Sequence, residues 1–359
     1  MNSNHYSLPL IGIIADDLTS AADFSAPFVR KGLSAEVCGV APVSLVKTTS
    51  EIISIDCDSR SMTAKHAADA STLATRALAK LPFLCKTVDS TLRGHIREEL
   101  LASYNTSGRS RLIFAPAFPE AGRTTVGGTQ YVNGTPVSQS TYAKDPNHPA
   151  WTSHVADLIS EDIQGAMILD AQSQAELNSQ VASIDRPEDV LWAGSPGLAI
   201  ALAETKSPLN FSPPEPLTAE RTLVVVGSAN PISHEQAAQL DGLSCATCVT
   251  APRERDKDPK RVLAGLADEA IEVMENQEIT ALIATGGETM KVVLDRLHVN
   301  RFSLVGEFET GFPIGRVTLP DGRNLILGMK AGGFGSARSL HNAATVLWEN
   351  ARVQREKKT

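Results

Sequence analysis

The chain has no apolar run that approaches the length of a bilayer-spanning helix, no excess of basic residues, and only five cysteines in 359 residues. The first absence excludes a helical membrane protein, because a span needs about 20 consecutive apolar residues. The second excludes a nucleic-acid footprint: the formal charge is -8 and the pI is near 5.6, which leaves room only for a local basic cleft of the kind an anionic substrate wants. An odd number of cysteines (Cys38, Cys57, Cys85, Cys245, Cys248) is not a disulfide framework. Cys245-Ala-Thr-Cys248 has CxxC spacing, but no second pair accompanies it and it lies in a strand-like run, so structural thiols are expected. The sequence also lacks a GxxxxGK[ST] loop, a GxGxxG turn after a strand, internal repeats and low-complexity tracts. It is therefore neither an ordinary P-loop protein nor a plain dinucleotide-binding fold. The apolar run Leu8 to Ala15 has no basic region before it and ends in Asp16-Asp17, so it reads as a first buried strand rather than a signal peptide, with the cytoplasm as the expected location.

What is present is ordinary for a globular α/β protein: 42% hydrophobic and 21% charged residues, in a chain long enough for two cores. The most informative stretch is Ile279 to Leu297. An apolar run, Ala281 to Ala284, stops at Thr285-Gly286-Gly287, and a helical pattern with Val292, Val293 and Leu297 on one face follows. Glycines let the backbone approach a ligand closely, and free N–H groups at a helix start attract anions, so phosphate is the natural guest. The construction recurs at Lys330-Ala331-Gly332-Gly333-Phe334-Gly335, between a strand from Asn324 and a helix through Trp348, with Lys330 read as a mobile cation. Two such turns close together suggest a nucleotide site.

The first half alternates strands and helices, which implies a parallel layered sheet with ligands beyond the carboxyl ends of its strands. The first strand end carries Asp16, Asp17 and, further on, Asp23; Asp17 or Thr19 is expected to cap the helix that runs to Lys31, and Pro27 to kink it. A later strand end carries Lys86, Thr87, Asp89, Ser90, Thr91 and Arg93. Hydroxyls and an aspartate suit a polyhydroxylated ligand, and Lys86 and Arg93 suit a carboxylate or phosphate. From Pro116 to Pro149 helical features are few, and Gly127-Gly128 and Asn133-Gly134 signal a hairpin around Gln130 to Val132. Arg123, Tyr131 and His148 are its residues best placed to reach a ligand. Trp151 to Ser160 reads as a continuation of the helix and strand alternation.

Lys206 to Glu215, with three prolines and no periodicity, is the best linker. The expected organisation is residues 1–205 as one domain, 206–220 as linker and 221–359 as a second domain. The fold class is α/β: two three-layer domains with largely parallel sheets and a cleft between them. The final residues from Arg352 are expected to fray.

Several motifs in order resemble the four-carbon acid sugar kinase family. Ala15-Asp16-Asp17-Leu18-Thr19 is similar to its opening ADDxTG element, with Ser20 in place of the glycine. Lys86 to Thr91 resembles KxxxxDST, and Gly122-Arg123-Thr124 its GRT turn. Gly227-Ser228, Gly286-Gly287-Glu288-Thr289 and Lys330 to Gly335 resemble the GS, GGET and KSGNFG elements, although Ala331 and Gly333 stand where serine and asparagine are usual. The resemblance implies an N-terminal sugar-acid domain and a C-terminal nucleotide domain. It also implies ATP-dependent phosphorylation of the 4-hydroxyl of threonate, erythronate or 3-oxo-tetronate in carbohydrate catabolism. On that basis Asp16, Asp17, Arg60, Lys86, Asp89 and Ser90 would hold the sugar acid. Ser228, Gly286, Gly287, Glu288, Thr289 and Gly332 or Gly333, beside Lys330, would hold ATP.

Phosphoryl transfer needs alignment, charge neutralisation and an acceptor for the hydroxyl proton. Asp17 is expected to be that acceptor ahead of Asp16, with Asp89 as competitor and with Lys86 and Arg123 neutralising substrate or phosphoryl charge. Thr91, Arg93 and His148 complete the expected substrate set. Mg²⁺ would arrive with ATP, and the two domains would close over their ligands. The sequence fixes no oligomeric state; a homodimer is compatible with it. Two other readings compete: a non-catalytic sensor of acid and nucleotide, and a nicotinamide-dependent sugar-acid dehydrogenase, which would require the missing GxGxxG turn.

Overall fold

The computed structural model describes residues 10–39, 48–145, 148–206, 215–228, 230–253 and 258–357. Contacts divide the chain into two compact units at residue 211. Most of the expected proline-rich linker, like the start of the Leu8 run, lies outside the described residues.

The first unit runs β1 (Ile11–Ala15), α1 (Leu18–Arg30), β2 (Ala35–Gly39), β3 (Ile52–Asp56), α2 (Ala64–Leu78), β4 (Phe83–Thr87), α3 (Ile96–Ser107), β5 (Arg111–Ala115), β6 (Arg123–Val126), β7 (Thr129–Val132), β8 (Thr135–Pro136), β9 (Met167–Ile168), α4 (Gln174–Ala182), β10 (Val190–Gly194) and α5 (Pro196–Lys206). Its main sheet has the order β2-β3-β1-β4-β10-β5-β9, with parallel pairing throughout. β1, β3 and β10 are buried along their whole length, which is why they read as continuous apolar runs rather than as alternation. Side-chain alternation separates the two faces of the sheet. Ile53 and Ile55 join Ala74, Leu78 and Leu100 in one core, so α2 and α3 cover that face. Ser54, between them, points the other way and donates to Ala21 O at 3.1 Å, which places α1 on the opposite face with α5 and α4 beyond it.

The hairpin expected around Gln130 is the three-stranded antiparallel sheet β6-β7-β8. Gln130, fully buried, ties it down: Nε2 donates to Ser90 O at 2.8 Å and Pro116 O at 3.2 Å, and Oε1 accepts from Thr125 Oγ1 at 2.6 Å. Trp151 to Ser160 is not a helix; only a 3₁₀ turn forms, at Val155–Leu158. Thr152 Oγ1 accepts from His154 N at 3.0 Å, and Ser153 O accepts from Gln130 N at 2.8 Å, so local side-chain bonds and pairing to β7 take the groups a helix would use.

The second unit runs β11 (Thr222–Val226), α6 (Pro231–Ala238), β12 (Ala246–Thr250), α7 (Pro259–Asn276), β13 (Ala281–Thr285), α8 (Gly287–Arg296), β14 (Arg301–Glu307), β15 (Pro313–Thr318), β16 (Asn324–Lys330) and α9 (Ser339–Glu356). β12-β11-β13-β16 are parallel neighbours. β15 and β14 extend the sheet antiparallel. Val224, Val226 and Ile283 pack with Ala237, Leu340 and Ala343 of α6 and α9, while α7 and α8 pack on each other and on β11 and β13. Each unit thus has the layered α/β construction expected.

Two expectations change here. Ala219, assigned to the linker, is buried in this unit's core and Leu217 packs against it: Ala219 N donates to Leu347 O at 3.0 Å and Asn350 Nδ2 to Leu217 O at 2.9 Å. The C-terminal residues do not fray from Arg352, because α9 continues to Glu356 with Ala351 buried and Arg355 paired to Glu220 at 2.6 Å. α1 passes through Pro27. Among the described residues all five cysteines are free thiols, and no helix is long and apolar enough to cross a membrane.

Candidate active site

β3, β1 and β4 are neighbours in register, Asp56 beside Ala15 and Ile14 beside Lys86, so the loops that leave their carboxyl ends meet. Asp17 starts α1, its Oδ1 accepting from Ser20 N at 2.6 Å; the expected cap is Asp17, not Thr19. Arg60, from the loop after β3, joins both aspartates: Nε and Nη2 donate to Asp16 Oδ2 at 2.8 and 2.6 Å, and Nη1 to Asp17 Oδ2 at 2.5 Å. Thr87 Oγ1 adds a longer contact to Asp16 Oδ1 at 3.4 Å. Burial opposes ionisation of Asp16, but Arg60 and then Lys86 outweigh it and hold the carboxyl below its ordinary value. Burial likewise opposes charge on Arg60, and Asp16, Asp17 and Asp89 overcome it.

The loop after β4 adds a second cluster. Asp89 Oδ2 accepts from Arg93 Nε and from Thr91 Oγ1, each at 2.6 Å. Despite burial, Arg93 and Arg60 push the Asp89 carboxyl well below the usual carboxylate range. Arg93 reaches Asp145 at 3.3 Å and lies over the Tyr142 ring, 5.2 Å from its centroid. Arg123 donates to Tyr142 Oη at 3.2 Å and to Ala121 O. His148 N bonds Asp145 Oδ1 at 3.0 Å, and its ring meets the His95 ring edge-on at 5.3 Å. Burial, then His95 and Arg60, lower the His148 pKa and favour the neutral ring. Asp145, unforeseen from sequence, therefore links Arg93 to His148, and Tyr142 links Arg93 to Arg123. Ser90 is buried; Tyr131 sits in β7, opposite Thr124 and Pro136.

Lys86 differs from expectation. Its Nζ lies 2.7 Å from Glu99 Oε2 and donates to Thr87 O at 2.9 Å. Burial disfavours its charge, yet Glu99 and Asp16 raise its pKa. Two of the three ammonium hydrogens are thus committed to Glu99 and Thr87, and Lys86 braces the floor beside Asp16. Glu99, whose other oxygen accepts from Ser59 Oγ at 2.7 Å, went unread in the sequence. The signal was available: Glu99 sits on the buried stripe Ile96, Leu100, Ser103, Ser107 of α3, and an acid on such a stripe needs an internal partner.

In the second unit β11, β13 and β16 are neighbours with Val226, Thr285 and Lys330 in register, so three loops gather at one sheet edge. Gly286 adopts φ 91° and caps α8 without a side-chain bond, while its N–H is held by Lys330 O at 2.8 Å. The first turn of α8, with Gly287, Glu288 and Thr289, thus offers N–H groups to an anion. Gly227 must lack a Cβ, which would stand 2.1 Å from Thr289 Oγ1. Ser228 Oγ accepts from Asn230 N at 3.2 Å. Glu288 is exposed on α8, and Gly332 and Gly333 lie in the loop after β16. Lys330 is not a mobile cation: it is buried, and Nζ is bonded to carbonyls of its own loop.

Comparison with known proteins agrees with this division of labour. Residues 11–169 match a family model described as a sugar-binding N-terminal domain, and residues 246–340 match one described as a nucleotide-binding C-terminal domain. The chain is 30% identical to a D-threonate kinase of Cupriavidus necator, covering 94% of this chain and 98% of that protein. It is 28% identical to a D-threonate kinase of Bordetella bronchiseptica, with 95% and 98% covered. A Haemophilus influenzae protein of known structure, assigned to a family of unknown function, shares the fold with a TM-score of 0.69 at 19% identity, with 94% and 100% covered. The ordered motifs, the paired sheet-edge sites and this full-length similarity place the chain in the four-carbon acid sugar kinase family.

Proposed function

We propose that the protein transfers the terminal phosphoryl group of ATP to the 4-hydroxyl of a four-carbon sugar acid: threonate, erythronate or 3-oxo-tetronate. The observation that carries this reading is the junction of Asp16 and Asp17 on one guanidinium, that of Arg60, with Asp89 and Arg93 alongside. A sugar acid brings several hydroxyl donors and one carboxylate. Asp16 and Asp89, kept ionised, accept from hydroxyls; Arg93, Arg60 and Arg123 supply guanidinium forks for the carboxylate. Ser90, Thr91 and His148 complete the wall.

Asp17 is the proton acceptor in this proposal. Its side chain is 19% exposed, against 7% for Asp16 and 12% for Asp89. Asp89, held far below the usual range by two arginines, is too weak a base for an alcohol proton. Lys86 acts through Asp16 and Thr87 rather than on substrate, which makes it a positioning residue.

The nucleotide's phosphates would lie on the first turn of α8 (Gly286, Gly287, Glu288, Thr289), with Ser228 and Gly332-Gly333 beside them. Among the described residues no group of three acidic, histidine or cysteine side chains could hold a metal ion. Mg²⁺ would arrive with ATP, held chiefly by phosphate oxygens and water with one or two carboxylates, where it would offset phosphate charge. Glu309, whose Oε1 lies against Gly335, and Glu288 in the first turn of α8 are acids that could serve there. A cytoplasmic location, where ATP is available, belongs to the same proposal.

The test is ADP release in a coupled assay across D- and L-threonate, D- and L-erythronate and their 3-oxo forms. Turnover with at least one is expected. ATP binding without turnover of any would overturn the reading.

A further inference from the structure

Lys330 ends β16 and is 1% exposed. Nζ donates to Ala331 O at 2.9 Å, Gly332 O at 3.3 Å and Phe334 O at 2.8 Å. Three ammonium hydrogens meet three carbonyls, so none remains for a phosphate. Each of these carbonyls belongs to a trans peptide, in which the following N–H points the opposite way. Drawing the carbonyls of Ala331, Gly332 and Phe334 toward the lysine therefore turns the N–H groups of Gly332, Gly333 and Gly335 away from it. Among the described residues, none of these three N–H groups makes a backbone hydrogen bond.

The carbonyl side is anchored twice. Ser233 Oγ of α6 also donates to Gly332 O at 2.8 Å, and Gln236 Nε2 to Phe334 O at 3.1 Å. Successive N–H groups turned to one side of a loop form a concave anion site. We propose that Lys330 is an internal cation that shapes the 331–335 loop into a backbone cradle for the nucleotide's phosphates without touching them. This role rests on the kinase reading above. It also accounts for Ala331 and Gly333: recognition by main-chain N–H groups needs no side chain at either position. Lys330 acts through the loop, so it is a positioning residue.

The test is amide hydrogen exchange with and without saturating Mg·ATP, beside calorimetric titration of ATP and of adenosine into wild type and K330M. The expected result is ATP-dependent protection at Gly332, Gly333 and Gly335 in wild type. K330M should bind ATP at least tenfold more weakly, bind adenosine within twofold of wild type, and keep its thermal shift with the sugar acid. K330R should not rescue, because a guanidinium does not fit the three-carbonyl pocket, whereas direct phosphate contact would let arginine substitute. Wild type that binds ATP without protection at those amides overturns the cradle and leaves the kinase reading standing, and rescue by K330R does the same. Wild type that binds no ATP overturns the kinase reading itself. If K330M fails to fold, the exchange measurement on wild type still decides.

Discussion

Lys86 and Glu99 face each other at 2.7 Å with side chains only 2% and 3% exposed. Such a pair adds little net stability over an apolar replacement, but removing one partner strands the other charge. Glu99→Ala is therefore expected to lower unfolding free energy by about 3–5 kcal/mol, and the double change Lys86→Met with Glu99→Leu to recover most of that loss. Urea unfolding of the two variants checks this. Turnover should stay low in the double variant, since Lys86 also helps hold Asp16 ionised.

Asp17→Asn keeps the helix cap, because asparagine caps as well as aspartate. Its thermal midpoint should fall, because Arg60 loses one of its carboxylate partners, but the protein should stay folded while kcat falls by about 10²–10⁴-fold, the usual contribution of a positioned base. Asp89→Asn should act mainly on KM for the sugar acid. Full turnover in Asp17→Asn together with loss in Asp89→Asn would reverse the assignment of the base.

Gly227→Ala introduces a Cβ 2.1 Å from Thr289 Oγ1 and must push the first turn of α8. KM for ATP is expected to rise at least tenfold, about 1.4 kcal/mol, with the sugar-acid KM near wild type. Equal effects on both would show that the change is not confined to the nucleotide side.

Burial pushes the Lys330 ammonium down to about 8 from its ordinary 10.5, with the Glu309 carboxylate pulling the other way. The folded value lies below the unfolded one, so this group favours folding at alkaline pH, and that advantage is lost as pH falls through 8. Nucleotide binding runs the other way, because a neutral amine has only two hydrogens for three carbonyls and no charge to support the cradle. ATP affinity should fall as pH rises from 7 to 9, and K330M should flatten that dependence. Calorimetry at four pH values measures both slopes.

Much of the candidate site is readable in the sequence for a plain reason. Asp16, Asp17 and Asp89 follow apolar strands of a parallel sheet, where ligand loops converge, and Gly286-Gly287 interrupts a strand before a helix. Arg60 had no such marker and entered through family resemblance alone. Glu99 was hidden because its importance lies in the face of α3 it occupies, not in its neighbours along the chain. Lys330 was misread because the direction of a lysine depends on which carbonyls its own loop presents, a tertiary property. Trp151 to Ser160 reads as part of the helix and strand alternation, but pairing to β7 captured its backbone.

The most direct test of the account is the proton-coupled ³¹P spectrum of the product made from ATP and whichever four-carbon sugar acid the coupled assay shows to turn over. Transfer to the 4-hydroxyl places the phosphate on a methylene carbon, so a phosphomonoester triplet is expected, growing at least about a hundredfold more slowly with Asp17→Asn. A doublet from a secondary alcohol, or the uncoupled signal of an acyl phosphate, would contradict it.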